Sequence, residues 1–239
     1  MACFLLVHGA WQGAWCWQNV AERLEKLGHT VLTPNLPGYG SDSAHASSTT
    51  LQDYISCIKE AVISCTENPV LVGHSSGGFI SLVADIVPDR IRSLVFIAAL
   101  VPADGYSMMQ FVNQFDLEYL SEIQWAPDGR SARLSVLGAA NFLYSECPPA
   151  VVNPLLPMLG VQSVAPYEYR FSPSSTNFGK VPRHYIRTVR DRLVPPRLQE
   201  EICAIHDFKS VHSLDADHSP FFSTPERLSS LLHMIAQQS

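Results

Sequence analysis

The chain has 239 residues, of which 46% are hydrophobic and 16% charged, as is typical of a folded globular protein with one large or two small domains. No apolar run approaches the roughly 18 residues that a membrane helix needs, and the formal charge of −6 argues against nucleic acid or an anionic membrane as a partner. The N-terminus lacks the basic stretch of a signal peptide, and the six cysteines are scattered without a CxxC pair. We therefore expect a cytoplasmic protein with free thiols.

Strands and helices alternate in the predicted elements of the first hundred residues and of the last sixty. Continuous apolar runs predict strands at residues 3–7, 30–33, 69–72, 91–98, 184–189 and 209–214. Helical spacing predicts helices at residues 15–27, 51–65, 79–87, 195–205 and 225–236. This alternation predicts an α/β fold with a mostly parallel sheet flanked by helices on both faces.

Residues 102–181 interrupt the alternation. The segment is far too long for a structureless loop in a compact domain, and it is rich in methionine and aromatic residues. We expect it to be an inserted helical cap over the carboxyl edge of the sheet, with residues 1–101 and 182–239 forming the core. Most of its aromatic side chains are expected to pack inside the cap itself, and a minority to face a pocket.

A Gly-x-Ser-x-Gly pattern lies between the predicted strand 69–72 and the predicted helix 79–87, as Gly73-His74-Ser75-Ser76-Gly77. In this context the serine sits on a sharp strand-to-helix turn that only small neighbours tolerate, and its hydroxyl is exposed above the sheet edge. The N–H of the next residue, Ser76, can then stabilise an oxyanion. The pattern predicts a nucleophilic serine.

A serine hydroxyl needs a neutral imidazole as base, and that imidazole needs a carboxylate to orient it. The histidines that follow Ser75 in the chain are His184, His206, His212, His218 and His233. We favour His218, because it follows the last predicted strand, whereas the others lie within predicted strands or helices or directly at the end of one. Asp191, at the end of the preceding strand, is the favoured acid. Asp104 is the alternative acid, and Asp215 and Asp217 are interpreted as turn residues.

A second oxyanion donor is expected after the first strand, where Ala10 follows His8 and Gly9. We interpret His8 and His74 as structural histidines. No pair of histidines with i, i+4 spacing lies near a carboxylate, so the sequence does not predict a metal site.

Three segments, Leu5–Trp17, Gly73–Gly78 and Asp217–Phe221, resemble the α/β-hydrolase superfamily. The similarity covers about residues 2–100 and 183–237, and it is strongest to the small carboxylesterases that include plant methyl-ester esterases and the hydroxynitrile lyases. The resemblance implies Ser75, His218 and Asp191 as a catalytic triad, and the backbone N–H groups of Ala10 and Ser76 as the oxyanion hole. It also implies a small-molecule ester as substrate, no cofactor, and a possible homodimer.

Two departures from the hydroxynitrile lyases argue against lyase activity. Those enzymes have a threonine where this chain has Gly9, and a lysine where it has Ser219. Relatives also cleave lactones, carbamates and amides, and the same fold serves ligand-binding receptors and cofactor-free oxygenases. These alternatives stay open, because specificity depends on the cap.

Overall fold

The computed structural model describes residues 1–238. Its strands are β1 (Cys3–Val7), β2 (Thr30–Leu32), β3 (Val70–His74), β4 (Ser93–Ile97), β5 (Ile123–Trp125), β6 (Ser131–Leu134), β7 (Gln162–Ser163), β8 (Arg183–Thr188) and β9 (Ser210–Leu214). Six of them form one sheet in the order β2-β1-β3-β4-β8-β9, and every neighbouring pair is parallel. The predicted α/β fold with a mostly parallel sheet is confirmed.

The α-helices are α1 (Gln18–Lys26), α2 (Leu51–Ser64), α3 (Ile80–Ile86), α4 (Met108–Val112), α5 (Val136–Gly138), α6 (Pro149–Leu155), α7 (Ala165–Glu168), α8 (Pro196–Ile205), α9 (Pro220–Ser223) and α10 (Pro225–Gln238). Short 3-10 helices lie at Ala14–Trp17, Gly40–Ser48, Ser75–Phe79, Pro88–Arg90, Glu118–Glu122, Leu156–Met158 and Phe178–Lys180, and a π-helical turn at Ala139–Leu143. Helix α2 begins at a capping box, in which Thr50 and Asp53 bond each other's backbone N–H.

The sheet separates two hydrophobic clusters, because successive residues of a strand point to opposite faces. Leu5 and Val7 of β1 pack with α2, α3 and part of the 102–181 segment. Phe4 and Leu6 pack with α1 and α10 on the opposite face. Burial on both faces explains why these strands are continuously apolar rather than alternating.

The 102–181 segment contains helices α4 to α7, but it also contains a three-stranded antiparallel sheet, β5-β6-β7. We expected only helices here. Strands β5 and β6 are joined by a tight turn at Asp128-Gly129, where Gly129 has a φ of 68°. A positive φ of this size favours glycine.

The carboxyl ends of β1, β3, β8 and β9 all lie at one edge of the sheet, because the strands are parallel. Strand β1 is the switch point, with β2 on one side and β3 on the other. Open α/β sheets bind ligands outside the carboxyl edge at such a point.

No helix within residues 1–238 is both long enough and apolar enough to span a bilayer.

Candidate active site

Ser75 lies at the sharp turn between β3 and α3. Its φ is 55°, in the left-handed region that L-residues rarely adopt. The chain passes so closely here that a Cβ on Gly73 would lie 2.3 Å from the carbonyl oxygen of Gly77. A Cβ on Gly78 would lie 1.9 Å from the carbonyl oxygen of Leu100. Glycine is therefore required by close contact at Gly73 of the motif and at Gly78, which follows the motif.

The loop after β1 lies against this turn. A Cβ on Gly9 would lie 2.8 Å from the Cβ of Ser75 and 3.0 Å from Nδ1 of His74. Ala10 is buried in the same loop, and the following residue, Trp11, has a φ of 60°. The backbone at Gly9 is thus close to Ser75, as an oxyanion loop requires.

The side chain of His8 stabilises the loop after β1. Its Nε2 accepts the Leu36 N–H at 3.1 Å, so its Nδ1 carries the proton and donates to the Gly9 carbonyl at 2.8 Å. Burial lowers the pKa of His8 to about 4. The ring is therefore neutral at pH 7, and both its nitrogens are occupied.

Asp191 and His218 are in direct contact at the carboxyl edge. The Nδ1 of His218 lies 2.8 Å from Oδ2 of Asp191, and both side chains are buried. Thr188 donates its hydroxyl to the same Oδ2 at 2.8 Å, and the N–H groups of Leu193 and Val194 donate to Oδ1 at 2.8 Å each. These bonds fix the carboxylate in position. The geometry suits a carboxylate that orients an imidazole.

His74 connects this pair to the serine turn. Its Nε2 lies 2.7 Å from the backbone carbonyl oxygen of His218, and the two rings are tilted with centroids 4.6 Å apart. Burial, and secondarily the neighbouring His218, lowers the pKa of His74 well below its usual value. Since His74 directly precedes Ser75, the structure brings His218 and the serine turn to one place.

The other candidate acids have other partners. Asp104 is near the surface and accepts the Ser172 hydroxyl at 2.7 Å. Asp215 forms a two-pronged ion pair with Arg190, with N–O distances of 2.6 and 2.7 Å.

Asp217 is fully buried, which the interpretation as a turn residue did not anticipate. It accepts the Ser223 hydroxyl at 2.8 Å and the N–H groups of Glu146 and Ser219 at 3.0 and 3.2 Å. The Sγ of Cys147 also lies 3.7 Å from this carboxylate. Asp217 therefore ties the loop that carries His218 to the 102–181 segment.

The remaining histidines lie apart from the Asp191–His218 pair. His184 and His212 both contact the Ser210 hydroxyl at 2.7 Å. His206 bonds the Val101 carbonyl at 2.9 Å, and His233 pairs with His29 at 2.7 Å. Residues 1–238 contain no group of three or more His, Cys, Asp or Glu side chains placed to share a metal ion.

A cavity of about 170 Å³ lies between the loop after β1 and the 102–181 segment. Its walls are mainly apolar, from Trp11, Met109, Val112, Asn113, Tyr119, Leu120, Ile123, Trp125, Ala132, Gln162, Ser163, Val164 and Tyr167. Trp11 belongs to the loop after β1. The Tyr167 ring packs edge-on against that of Phe79, the last residue of the 3-10 turn begun by Ser75, with the centroids 5.8 Å apart. Two of the residues that line the cavity thus connect it to the loop and to the turn that surround Ser75.

Sequence reasoning missed the polar side chains of this cavity. Tyr39 donates its hydroxyl to Oε1 of Gln162, whose amide nitrogen lies 3.1 Å from the Tyr54 hydroxyl and 2.8 Å from the Ser163 carbonyl. No motif surrounds Gln162 or Tyr167 in the chain, so only the folded segment reveals them.

Comparison with known proteins identifies the family. The profile of the family described as "Alpha/beta hydrolase family" matches residues 4–231. The chain belongs to that family. It is 32% identical to Methylesterase 7 of Arabidopsis thaliana over 98% of this chain and 96% of the relative.

Other relatives extend the comparison. The crystal structure of polyneuridine aldehyde esterase superposes with a TM-score of 0.90 at 25% identity, over 99% of each chain. Putative methylesterase 13, chloroplastic, of Arabidopsis thaliana is 32% identical over 98% of this chain. The chain spans only 56% of that relative's length.

Proposed function

We propose that this α/β-hydrolase family member is a serine esterase that cleaves a small, largely apolar carboxylic ester through an acyl-enzyme intermediate. The observation that carries the proposal is the buried Asp191–His218 contact of 2.8 Å, connected by His74 to a serine held at a φ of 55°. The names of the relatives, a methylesterase and polyneuridine aldehyde esterase, support the same reaction class.

In the proposed acylation step His218 accepts the proton of the Ser75 hydroxyl as the oxygen attacks the ester carbonyl. Asp191 accepts the Nδ1–H of His218, so Nε2 is the free base. The negative charge of the Asp191 carboxylate stabilises the imidazolium that forms. His218 then returns the proton to the departing alkoxide. In deacylation His218 takes a proton from the water that attacks the acyl-enzyme, and it returns that proton to the Ser75 oxygen as the acid is released.

The backbone N–H groups of Ala10 and Ser76 are proposed to bind the oxyanion. A donor in such a position contributes about 3 kcal/mol to the stabilisation of the transition state. The close approach of Gly9 to Ser75 supports this assignment, because it lets the loop after β1 reach the attacked carbonyl.

We propose that residues 102–181 act as a cap over a core formed by residues 1–101 and 182–239. The apolar cavity between this segment and the oxyanion loop would hold the organic part of the ester. Lactones, carbamates and amides present a similar carbonyl to the serine and are the nearest alternative substrates.

The limited space around position 9, as well as the residue types, argues against a hydroxynitrile lyase. A side chain at position 9 would collide with Ser75, since even a Cβ would lie 2.8 Å from the Ser75 Cβ. A ligand-binding receptor could have the same site geometry as an esterase. It would differ in that it binds its ligand without rapid turnover.

Cytoplasmic localisation is also a proposal. It is supported by the cysteines, all six of which are free thiols. Localisation of the tagged full-length protein in its native cell tests it, and a chloroplast signal, as in the name of one relative, would contradict it.

The decisive experiment is steady-state hydrolysis of a panel containing p-nitrophenyl esters, methyl esters of aromatic acids, a lactone and a carbamate. We expect turnover of at least one ester, and a loss of about 10⁴- to 10⁶-fold in kcat in Ser75→Ala. The matched control is Ser230→Ala, at an exposed position of α10. Equal turnover in Ser75→Ala would reject the nucleophile, and ligand-induced stabilisation without turnover would favour the receptor.

A further inference from the structure

Tyr167 is one of the residues that line the cavity. The hydroxyl of Tyr167 is buried and makes no hydrogen bond of normal geometry. Burial raises the pKa of this phenol well above its usual value, and the nearby Ser76 side chain acts in the opposite direction. The hydroxyl therefore keeps its proton at all working pH values and is an unused donor.

Three neighbouring polar side chains, those of Gln162, Ser163 and Trp11, already have hydrogen-bond partners. The Gln162 amide bonds Tyr39, Tyr54 and the Ser163 carbonyl. The Ser163 hydroxyl donates to the Thr49 carbonyl at 2.7 Å. The Trp11 Nε1 donates to the Ala132 carbonyl at 3.3 Å. A ligand would have to break one of these hydrogen bonds to bind the same groups, whereas the Tyr167 hydroxyl has none to break.

The location of this hydroxyl restricts which part of a substrate can reach it. The Tyr167 ring packs edge-on against Phe79, at the end of the turn that Ser75 begins, with the ring centroids 5.8 Å apart. The hydroxyl interacts with Ser76, the proposed oxyanion donor that directly follows the proposed nucleophile. An atom that bonds Tyr167 is therefore only a few bonds from the carbonyl attacked by Ser75. A buried polar group left unpaired costs free energy, so a site that contains one discriminates in favour of ligands that satisfy it.

We infer that the Tyr167 hydroxyl donates a hydrogen bond to an acceptor atom of the substrate, so that preferred esters carry an oxygen or nitrogen acceptor a few bonds from the scissile carbonyl. This inference rests on the proposed function and deepens it. A mainly apolar cavity with a donor at Tyr167 would accept plain alkyl esters, but it would favour their ether or keto counterparts.

The test uses two pairs of esters that differ by one oxygen in place of a methylene. On the acyl side, p-nitrophenyl methoxyacetate is compared with p-nitrophenyl butyrate. On the alcohol side, 2-methoxyethyl benzoate is compared with butyl benzoate. For each pair the ratio of kcat/KM is measured in the wild type and in Tyr167→Phe, which removes only the hydroxyl. Comparison between the two proteins cancels the different intrinsic reactivities of the esters.

We expect the preference for the oxygen-containing ester to fall about three- to tenfold in Tyr167→Phe for at least one pair, the usual effect of one neutral hydrogen bond. The pair affected identifies the side of the ester that faces Tyr167. The control is Tyr169→Phe, since Tyr169 is exposed, and it should keep the wild-type ratios. Unchanged ratios in Tyr167→Phe for both pairs would overturn the inference.

A second measurement excludes a structural role for the hydroxyl. Because it has no partner in the free protein, Tyr167→Phe should unfold at the same temperature as the wild type or at a higher one. A fall of several degrees would mean that the hydroxyl stabilises the fold through Ser76, and would also overturn the inference. Ser75→Ala is assayed in parallel: if it matches the wild type on all four esters, the proposed function fails too.

Discussion

The Nε2 of His74 donates a hydrogen bond to the backbone carbonyl of His218 over 2.7 Å. A carbonyl oxygen can only accept, so the proton of the neutral His74 ring is on Nε2, and Nδ1 is left as a buried acceptor without a partner. One hydrogen bond thus joins the turn that carries Ser75 to the loop that carries the proposed base.

Replacement of His74 by phenylalanine should loosen this connection. The ring volume is kept for packing against Phe221, but the His218 carbonyl loses its partner. We expect the free energy of unfolding to fall by about 1–3 kcal/mol, and kcat to fall about tenfold with little change in KM, because a misplaced base slows the chemical step. His206→Phe is the matched control, since it removes a similar bond, to the Val101 carbonyl. Wild-type kcat in His74→Phe would contradict the positioning role.

Asp191→Asn tests the choice of acid. The asparagine amide keeps the shape of the carboxylate but cannot stabilise the imidazolium of His218, so kcat should fall by about 10⁴-fold. The same change at Asp104, which bonds Ser172 instead, should leave kcat within about twofold of the wild type. The reverse result would make Asp104 the acid.

Gly9→Ala tests the close approach of the proposed oxyanion loop to Ser75. The new methyl group would lie 2.8 Å from the Ser75 Cβ, so the loop must move, and a shift of this kind lowers kcat by about 10- to 100-fold. Gly179→Ala is the control, because the nearest atom to a Cβ there is 3.9 Å away. Equal activities in the two variants would show that the loop moves without consequence.

The burial of His8, next to the loop after β1, predicts that the stability of the fold depends on pH. The pKa of His8 is about 4 in the folded protein because of burial, whereas it is about 6.5 in the unfolded chain. The unfolded state therefore binds the proton more readily, and folding loses stability as the pH falls from about 6.5 to 4, by ~3 kcal/mol at this residue. We expect the melting temperature to fall over that window.

His8→Gln should reduce this fall, because the glutamine side chain does not titrate. Other buried histidines, His74 and His184 among them, also have lowered pKa values, so part of the fall will remain. The comparison is the slope of the melting temperature against pH in the two proteins, and equal slopes would contradict the assignment to His8.

Hydrophobic patterns were sufficient to locate the main sheet. Strand β1 lies at residues 3–7 as predicted, whereas β3 extends two residues beyond the predicted end because His74 still pairs with Ile97 of β4. The predicted helix 79–87 is preceded by a 3-10 turn from Ser75, which a run of glycine and serine cannot signal by periodicity. Apolar spacing thus marks the buried part of an element better than its ends.

The predicted site residues follow from the same topology. Ser75, Asp191 and His218 come after β3, β8 and β9, and the carboxyl ends of parallel strands meet at one edge. Their catalytic roles stay predictions until the variants are assayed. Tyr167 and Gln162 had no comparable signal, because their positions depend on how the 102–181 segment folds against the sheet. Its strands of two to four residues are too short for period-2 alternation to be recognised.

The pairing of β4 with β8 has a consequence for the order of folding. The four strands β2-β1-β3-β4 are adjacent in the sheet and come from the first hundred residues, whereas β8 joins only after a loop of roughly 80 residues has closed, at an entropic cost that slows this step. Ser75 belongs to the strands that can pair before this loop closes, whereas Asp191 and His218 follow the strands that join the sheet afterwards. A nascent chain would therefore expose its serine turn before it had a base to activate it, and reactivity would arise only when the last two strands dock.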